Sequence, residues 1–312
     1  MNFAAFSQDV LDMREGEGIR GMASERSMFR SRLASCAFAS KDIAKITPMD
    51  VTQWSRSLVR EKLMKESILR ILTLVRAVFR EAIVQDLRST NPCTDVQVKG
   101  AKVNAEPPWD WLRGDEQRKF LSCAQIPLWF RLMVRVAWGT GLRQGELWNL
   151  ELKDVHLADE EHGPHIHVRY GSKGHLPPKN GKVRRTPLFG EGLAGMVGWL
   201  AQLKGPNEHG LVFPTVTGCR RQKGAPEHSS GQGRVEMLPE MLRLAGIPRV
   251  VRWHDLRHTC ASSLISGTWG KRWELVLVRD MLGHSSIKTT ERYAHLNADV
   301  LRNEGAATPG HA

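Results

Sequence analysis

Apolar side chains recur at three- and four-residue spacing through the first part of the chain, from Ser7 to about Leu87. This spacing predicts helices that each bury one face. The clearest example consists of Ile68, Ile71, Leu72, Val75, Val78 and Phe79. Thr47-Pro48 predicts a helix start, and Asn91-Pro92 predicts the end of the last helix in this group. We therefore predict a small basic domain of four or five helices.

The helical periodicity stops between Val96 and Pro108, where the composition is that of an extended, basic linker. We expect three parts. They are a helical domain over 1–96, a linker over 97–108, and a second domain over 109–312 that includes a C-terminal tail.

The second part begins with helical patterns at Asp115–Ala124 and Leu128–Trp138 and then changes to alternating, strand-like sequence. Residues His165–Tyr170 and Val183–Leu188 are predicted to pair as a hairpin. Thr215–Arg234 has no periodic apolar pattern and is predicted to be a mobile surface loop. The rest is mostly helical, with a longer turn expected within Ile265–Val276. The predicted class is mainly α with a small β-sheet.

With 312 residues and 41% hydrophobic content, the chain can bury a full core. No segment approaches the ~20 apolar residues needed to span a bilayer, and no secretion signal follows Met1, so we expect a cytoplasmic protein without a membrane partner. The five cysteines are widely spread and contain no Cys-x-x-Cys pair, which argues against a disulfide framework or a zinc cage. A net charge of +12 favours a polyanionic partner, although charge alone does not separate DNA from RNA or a membrane surface.

A helix that starts at Asp255 places His254 and Arg257 about one turn apart, where both can reach a single phosphate. Arginine suits this task because its planar fork donates two parallel hydrogen bonds. The alternative is structural. His254 then caps the helix, and Arg257 pairs with Asp255 or Glu240 on the surface.

Two further candidates also have structural alternatives. Arg143 and Glu146 follow a glycine turn and can be no more than a helix cap with an ordinary surface ion pair. Tyr293, predicted to lie on a helix over 290–295, can be a packing residue. His162, His165 and His167 have metal-like spacing, yet no cysteine or carboxylate completes the set, so we expect surface histidines and no metal site.

Four motifs occur in a fixed order in the second part. They are TGLRQGEL at 140–147, PKNGKVRRTPL at 178–188, WHDLRHT at 253–259 and LGHSSIKTTERYAH at 282–295. In this order they resemble the tyrosine recombinase family, which includes phage integrases and bacterial Xer-type recombinases. The helical first part is similar to the core-binding domain of that family. Together the two parts would form a C-shaped clamp on DNA.

The resemblance implies a role for each matching residue. Tyr293 would attack the scissile phosphate and form a 3′-phosphotyrosyl link, while Arg143 and Arg257 hold the non-bridging oxygens. His254 would serve as general acid–base and His284 would contact the phosphate. Glu146 would orient Arg143 or its loop.

A lysine of the hairpin would protonate the leaving 5′ oxygen. Lys179 fits the family pattern best, and Lys173 and Lys182 remain alternatives. Lys99 and Lys102 of the linker would contact the DNA backbone.

The implied protein is a site-specific DNA recombinase of a phage or other mobile element. It acts on double-stranded DNA as a homotetramer in the bacterial cytoplasm or nucleoid, with host or phage accessory factors and without cofactor, metal or ATP. The alternatives are a topoisomerase-like enzyme that cleaves and reseals one strand, and a catalytically silent DNA-binding regulator. The chain is also either a simple two-domain form or a truncated one that lacks an arm-binding domain.

Overall fold

The computed structural model describes residues 1–19, 21–103, 110–171, 183–221 and 237–294. The chain divides into two compact units, Met1–Pro107 and Pro108–Ala312. Both units are mainly helical, and the second contains a three-stranded sheet, which confirms the predicted class. Within the described ranges, no helix has the length and apolar character needed to cross a membrane.

The first unit contains four α-helices in its described residues. They are α1 (Phe3–Gly16), α2 (Met22–Met28), α3 (Pro48–Arg60) and α4 (Lys65–Val84). The predicted start of α3 is confirmed, because Thr47 and Asp50 form a reciprocal capping box at its first turn. The predicted end at Asn91-Pro92 is wrong, since α4 ends at Val84. Asn91 instead fixes the following turn through its side-chain hydrogen bonds to Arg76 and Cys93.

The core of the first unit gathers the apolar faces of these helices. The predicted stripe on α4 is buried in full. Ile68, Leu72, Val75, Val78 and Phe79 are each inaccessible to solvent, and Ile71 is nearly so. Burial of a side chain of this size contributes about 1.5–3 kcal/mol. The 3.6-residue period of the sequence therefore accounts for which face of α4 is buried.

The second unit is built around a close pair of helices. Its helices are α5 (Gly114–Ser122), α6 (Leu128–Thr140), α7 (Gln144–Trp148), α8 (Gly190–Gln202), α9 (Leu238–Leu244), α10 (Asp255–Ser266), α11 (Leu275–Leu282) and α12 (Lys288–Glu291). A Cβ at Gly139 of α6 would lie 2.2 Å from the backbone nitrogen of Gly192 in α8, so the two backbones are in contact. This packing fixes the C-terminal end of α6. Gly141, at φ +61°, ends that helix.

The sheet has the strand order β1 (Val155–His156), β2 (His165–Val168) and β3 (Arg184–Pro187), all antiparallel. Strands β2 and β3 lie within the predicted hairpin segments, whereas β1 had no sequence prediction. The residues between the two hairpin strands, 172–182, lie outside the described ranges, as does most of the predicted loop Thr215–Arg234.

Helix α10 is buried on every side, as residues Asp255 to Ile265 show. Two of its polar side chains accept hydrogen bonds inside the unit: Thr259 from the backbone N–H of Leu112, and Ser263 from the side chain of Gln117. The predicted turn within Ile265–Val276 is confirmed between α10 and α11. Tyr293 was predicted to lie on a helix, and this is wrong, because α12 ends at Glu291 and Tyr293 follows it in a turn.

Candidate active site

Glu146 lies at the centre of an arginine cluster. Its carboxylate accepts a hydrogen bond of 2.9 Å from the guanidinium of Arg143. It accepts two more, of 3.0 and 2.7 Å, from the two terminal nitrogens of Arg184. It also accepts a hydrogen bond from the backbone N–H of Arg143, the N-cap residue of α7, and so caps the first turn of that helix. The cap foreseen as the structural alternative for Arg143 is therefore present. The pair is not an ordinary surface one, because the side chain of Glu146 is only 2% exposed.

Charge balance explains why Glu146 stays ionised. Burial alone raises the pKa of this carboxyl group, but the hydrogen bonds and charge of Arg184, together with the charge of Arg143, outweigh it and lower the pKa to about 2. The two guanidinium groups are thereby held in place by one buried anion.

Arg257 connects three motifs of the sequence. Its guanidinium donates to the carbonyl of Gly141 at 2.7 Å and to the carbonyl of Leu282 at 2.6 Å. The residue is 3% exposed. The surface pairing of Arg257 with Asp255 does not occur, because the carboxylate of Asp255 accepts two hydrogen bonds from the guanidinium of Arg252. One buried cation thus joins the end of α6, the start of α10 and the end of α11.

The cluster carries an excess of positive charge. Three guanidinium groups, on Arg143, Arg184 and Arg257, surround the single carboxylate of Glu146. Burial and the proximity of Arg143 lower the pKa of Arg257 to about 9. A cation that is desolvated and repelled in this way is stabilised by an arriving anion. The arrangement is therefore suited to bind a phosphate.

Three imidazoles lie around the cluster. His254 is exposed at the N-terminal cap of α10, and its pKa is lowered by partial loss of hydration and by Arg257. His284, half-buried, places Nδ1 2.9 Å from the hydroxyl of Thr290. Burial, followed by the charges of Arg257 and Arg143, lowers the pKa of His284 to about 3, so its ring is neutral at neutral pH.

The third imidazole, His258, contacts the tyrosine. Its Nδ1 lies 2.5 Å from the phenolic oxygen of Tyr293, and its ring meets that of His254 edge to face at 5.3 Å. Burial and the neighbouring His254 lower the pKa of His258 to about 4. Tyr293 itself is 1% exposed, and burial raises its pKa above the ordinary value despite the opposing charge of Arg257. The phenol is therefore protonated and bonded to a neutral imidazole.

The structure brings together five of the residues named from the sequence: Arg143, Glu146, His254, Arg257 and His284, with Tyr293 bonded beside them through His258. Lys173, Lys179 and Lys182 lie outside the described residues. Lys99 and Lys102 are exposed in the first unit.

Sequence reasoning missed Arg184 and His258. Both lie within the four motifs, and their position within a motif is the only signal that the sequence offers for them.

A model of the phage integrase family matches residues 110–299 of the chain. Among characterised sequences, the chain is 28% identical over 266 residues to the ICEBs1 integrase of Bacillus subtilis (strain 168), an alignment that covers 83% of this chain and 69% of that protein. It is 27% identical over 258 residues to the tyrosine recombinase XerC of Vibrio vulnificus (strain YJ016), covering 80% of this chain and 73% of the relative.

Two solved structures have the same fold. The Tn1549 transposon integrase in complex with circular intermediate DNA superposes with a TM-score of 0.72 at 20% identity, covering 97% of this chain and 99% of the other. A lambda integrase dimer bound to a COC′ core site superposes with a TM-score of 0.67 at 17% identity, covering 93% and 97%.

Proposed function

The chain belongs to the phage integrase family and is a site-specific tyrosine recombinase, and on that premise we propose that Tyr293 is its nucleophile and double-stranded DNA its substrate. The observation that carries the assignment is the pair of hydrogen bonds from Arg257 to Gly141 and Leu282. These two hydrogen bonds bring residues from three separate motifs of the sequence into one arginine cluster.

The proposed chemistry is a transesterification at phosphorus. The phenolic oxygen of Tyr293 forms a bond to the phosphorus, and the bond from phosphorus to the 5′ oxygen breaks. A base takes the phenolic proton and an acid gives a proton to the departing oxygen, which leaves a 3′-phosphotyrosyl link and a 5′-hydroxyl. A 5′-hydroxyl from another strand reverses these steps and joins new DNA, so the bond energy is conserved without ATP.

The arginines stabilise the charge that develops in this reaction. Arg143 and Arg257 are proposed to hold the two non-bridging oxygens, where each preorganised donor contributes on the order of 3 kcal/mol to the pentacoordinate state. Glu146 and Arg184 keep Arg143 in place. His284 is neutral and is proposed to donate a hydrogen bond to the phosphate, and His254 to act as acid–base.

His258 is proposed to receive the proton of Tyr293, since it is the imidazole bonded to the phenol. Its lowered pKa makes it a weak base in the resting protein. A phosphate bound beside it adds negative charge, which raises the pKa of the imidazole and couples proton transfer to the presence of DNA.

Further parts of the proposal are carried over from the tyrosine recombinase family. Lys179 is proposed to protonate the leaving oxygen, with Lys173 and Lys182 as the other candidates. Residues 1–96 are proposed as a DNA-binding domain joined by the linker 97–108 to the catalytic domain 109–312, with Lys99 and Lys102 on the DNA backbone. The working assembly is proposed to be a homotetramer on two DNA sites in the bacterial cytoplasm or nucleoid, assisted by accessory factors.

The test uses nicked suicide DNA that carries the attachment site, followed by a denaturing gel. Wild-type protein is expected to form a covalent adduct, and Tyr293→Phe is expected to bind the same DNA and form none. If Tyr293→Phe still forms an adduct, another residue is the nucleophile.

Two assays separate the alternatives, neither of which is favoured by relatives that are integrases and recombinases: the suicide-DNA gel, and a strand-exchange reaction between two intact sites. A wild-type protein that binds the site but forms no adduct supports the silent regulator. Cleavage and resealing without exchange between two sites supports the topoisomerase-like enzyme.

A further inference from the structure

Three histidines meet on one face of the small sheet. His156 lies on β1, and His165 and His167 lie two residues apart on β2, so that their side chains point the same way. His156 and His165 are cross-strand partners with rings stacked at 4.7 Å, and the ring of His167 lies 4.6 and 4.9 Å from the other two. One nitrogen from each ring lies within 4.8 Å of the others.

The hydrogen bonds of His165 fix which nitrogen carries its proton. Nδ1 lies 2.8 Å from the carbonyl oxygen of Gly163, which can only accept, so Nδ1 is the protonated nitrogen. Nε2 of the neutral ring then carries the lone pair and accepts a hydrogen bond from Nε2 of His167, 3.1 Å away. A bound ion would take the place of the proton that lies between these two nitrogens. A backbone carbonyl on one nitrogen and a lone pair on the other is the arrangement found in metal-binding histidines.

Burial adds a second, independent observation. His165 is 3% exposed. Nε2 of His156 is buried and, among the residues that the structure describes, has no hydrogen-bond partner. Buried polar atoms are nearly always satisfied, and a metal ion bound to Nε2 of His156 would satisfy this one.

We propose that His156, His165 and His167 bind a divalent transition-metal cation, with Zn²⁺ as the preferred ion. Nitrogens that share a tetrahedral Zn²⁺ lie about 3.4 Å apart, close to the observed separation of His165 and His167. Three imidazoles without carboxylates favour Zn²⁺, Cu²⁺ or Ni²⁺ over Mg²⁺ or Ca²⁺.

The set differs from the one that the sequence suggested. His162 belongs to the same stretch of sequence, but it pairs with Asp159 in the turn, and His156 of the preceding strand completes the cluster instead. The ion would fasten β1, which has only two residues, to β2. Because β2 pairs with β3, the ion would also stabilise β3, the strand that carries Arg184.

The experiment titrates metal-free protein without a histidine tag with Zn²⁺ in competition with a chromophoric chelator, and with Co²⁺ as an optical probe. Wild type is expected to bind one ion in this site, with the absorption bands of tetrahedral Co²⁺. His156→Ala and His167→Ala are each expected to bind at least tenfold more weakly and to lose those bands. His162→Ala, the matched control, is expected to bind as wild type does.

Thermal unfolding supplies a second readout that does not depend on DNA. Saturating Zn²⁺ is expected to raise the Tm of wild type and of His162→Ala, and to leave that of His167→Ala unchanged. The proposal is overturned if wild type and His167→Ala bind Zn²⁺ with equal affinity, or if wild type neither binds it nor gains stability from it. Because neither measurement involves strand cleavage, the outcome is independent of the proposed recombinase chemistry.

Discussion

His258, and not His254, is the imidazole bonded to Tyr293, with Nδ1 2.5 Å from the phenolic oxygen. The two histidines stand four residues apart on α10 and its cap, so their rings lie on the same side of the helix. His254 is at the exposed end and His258 one turn deeper. The two rings differ because of this difference in depth: His254 is open to solvent, and His258 is buried against the phenol of Tyr293.

His258→Ala is expected to slow adduct formation on suicide DNA by about 10²-fold, the ordinary contribution of a positioned acid–base group. The defect should shrink as the pH is raised, because hydroxide in solution can then replace the missing base. The exposed His209→Ala serves as the control and should cleave at the wild-type rate. A rate loss that does not change with pH would mean that His258 only packs against the phenol.

Arg143→Ala and Arg257→Ala are both expected to bind DNA without cleaving it, but they should differ in stability. Arg257→Ala leaves two buried carbonyls without a donor and should lower the free energy of unfolding by about 3 kcal/mol. Arg143 is 39% exposed, and Glu146 keeps Arg184 when it is lost, so Arg143→Ala should cost about 1 kcal/mol or less. Urea unfolding measures both. Equal losses would contradict the different burial of the two side chains.

Gly283→Ala is expected to impair cleavage through Arg184. Gly283 has φ +67°, and a Cβ there would lie 2.7 Å from Cδ of Arg184, whose guanidinium is bound to Glu146. Gly246 has φ +72° with nothing within 4 Å of its Cβ position. Both alanine variants should therefore lose about 1 kcal/mol from the strained backbone, and only Gly283→Ala should also lose adduct formation. An equally active Gly283→Ala would show that Arg184 can move without consequence.

Stability is expected to fall in mild acid. An imidazole in the unfolded chain has a pKa of about 6.5, whereas the folded pKa values of His258 and His284 are about 4 and about 3. From about 6.5 down to these folded values the unfolded chain binds more protons, so the free energy of unfolding decreases by about 1.4 kcal/mol per pH unit for each histidine. Below the folded pKa of each histidine its contribution is fully lost and the decrease stops.

The variant His258→Asn tests this directly, because it keeps a polar group near the phenol but cannot titrate. Urea unfolding between pH 4 and 7 should show a shallower dependence on pH than in wild type, by about one proton. His209→Asn, at a solvated position, should leave the slope as it is. An unchanged slope in His258→Asn would mean that this imidazole is not neutral in the folded protein.

Much of the fold could be predicted because its signals are local. The stripe on α4 follows from the helical period, and the start of α3 at Thr47-Pro48 follows from capping within one turn. The errors are also local in origin. The pattern predicts a helix end at Asn91-Pro92, whereas α4 ends at Val84, and it predicts a helix that includes Tyr293, whereas α12 ends at Glu291. In both cases the pattern indicated a boundary without fixing its residue.

By itself, the sequence determined the mainly helical class and the family, through the order of four motifs that contain Arg143, Arg257, His284 and Tyr293. The tertiary structure decided how these residues are paired. The bonds of Arg184 to Glu146 and of His258 to Tyr293 join side chains 38 and 35 positions apart. Such contacts depend on how α10, β3 and the chain after α12 pack together, and no period or spacing encodes that packing. Burial then raises the pKa of the phenol and lowers those of the imidazoles, effects that arise only when water is excluded from the assembled core.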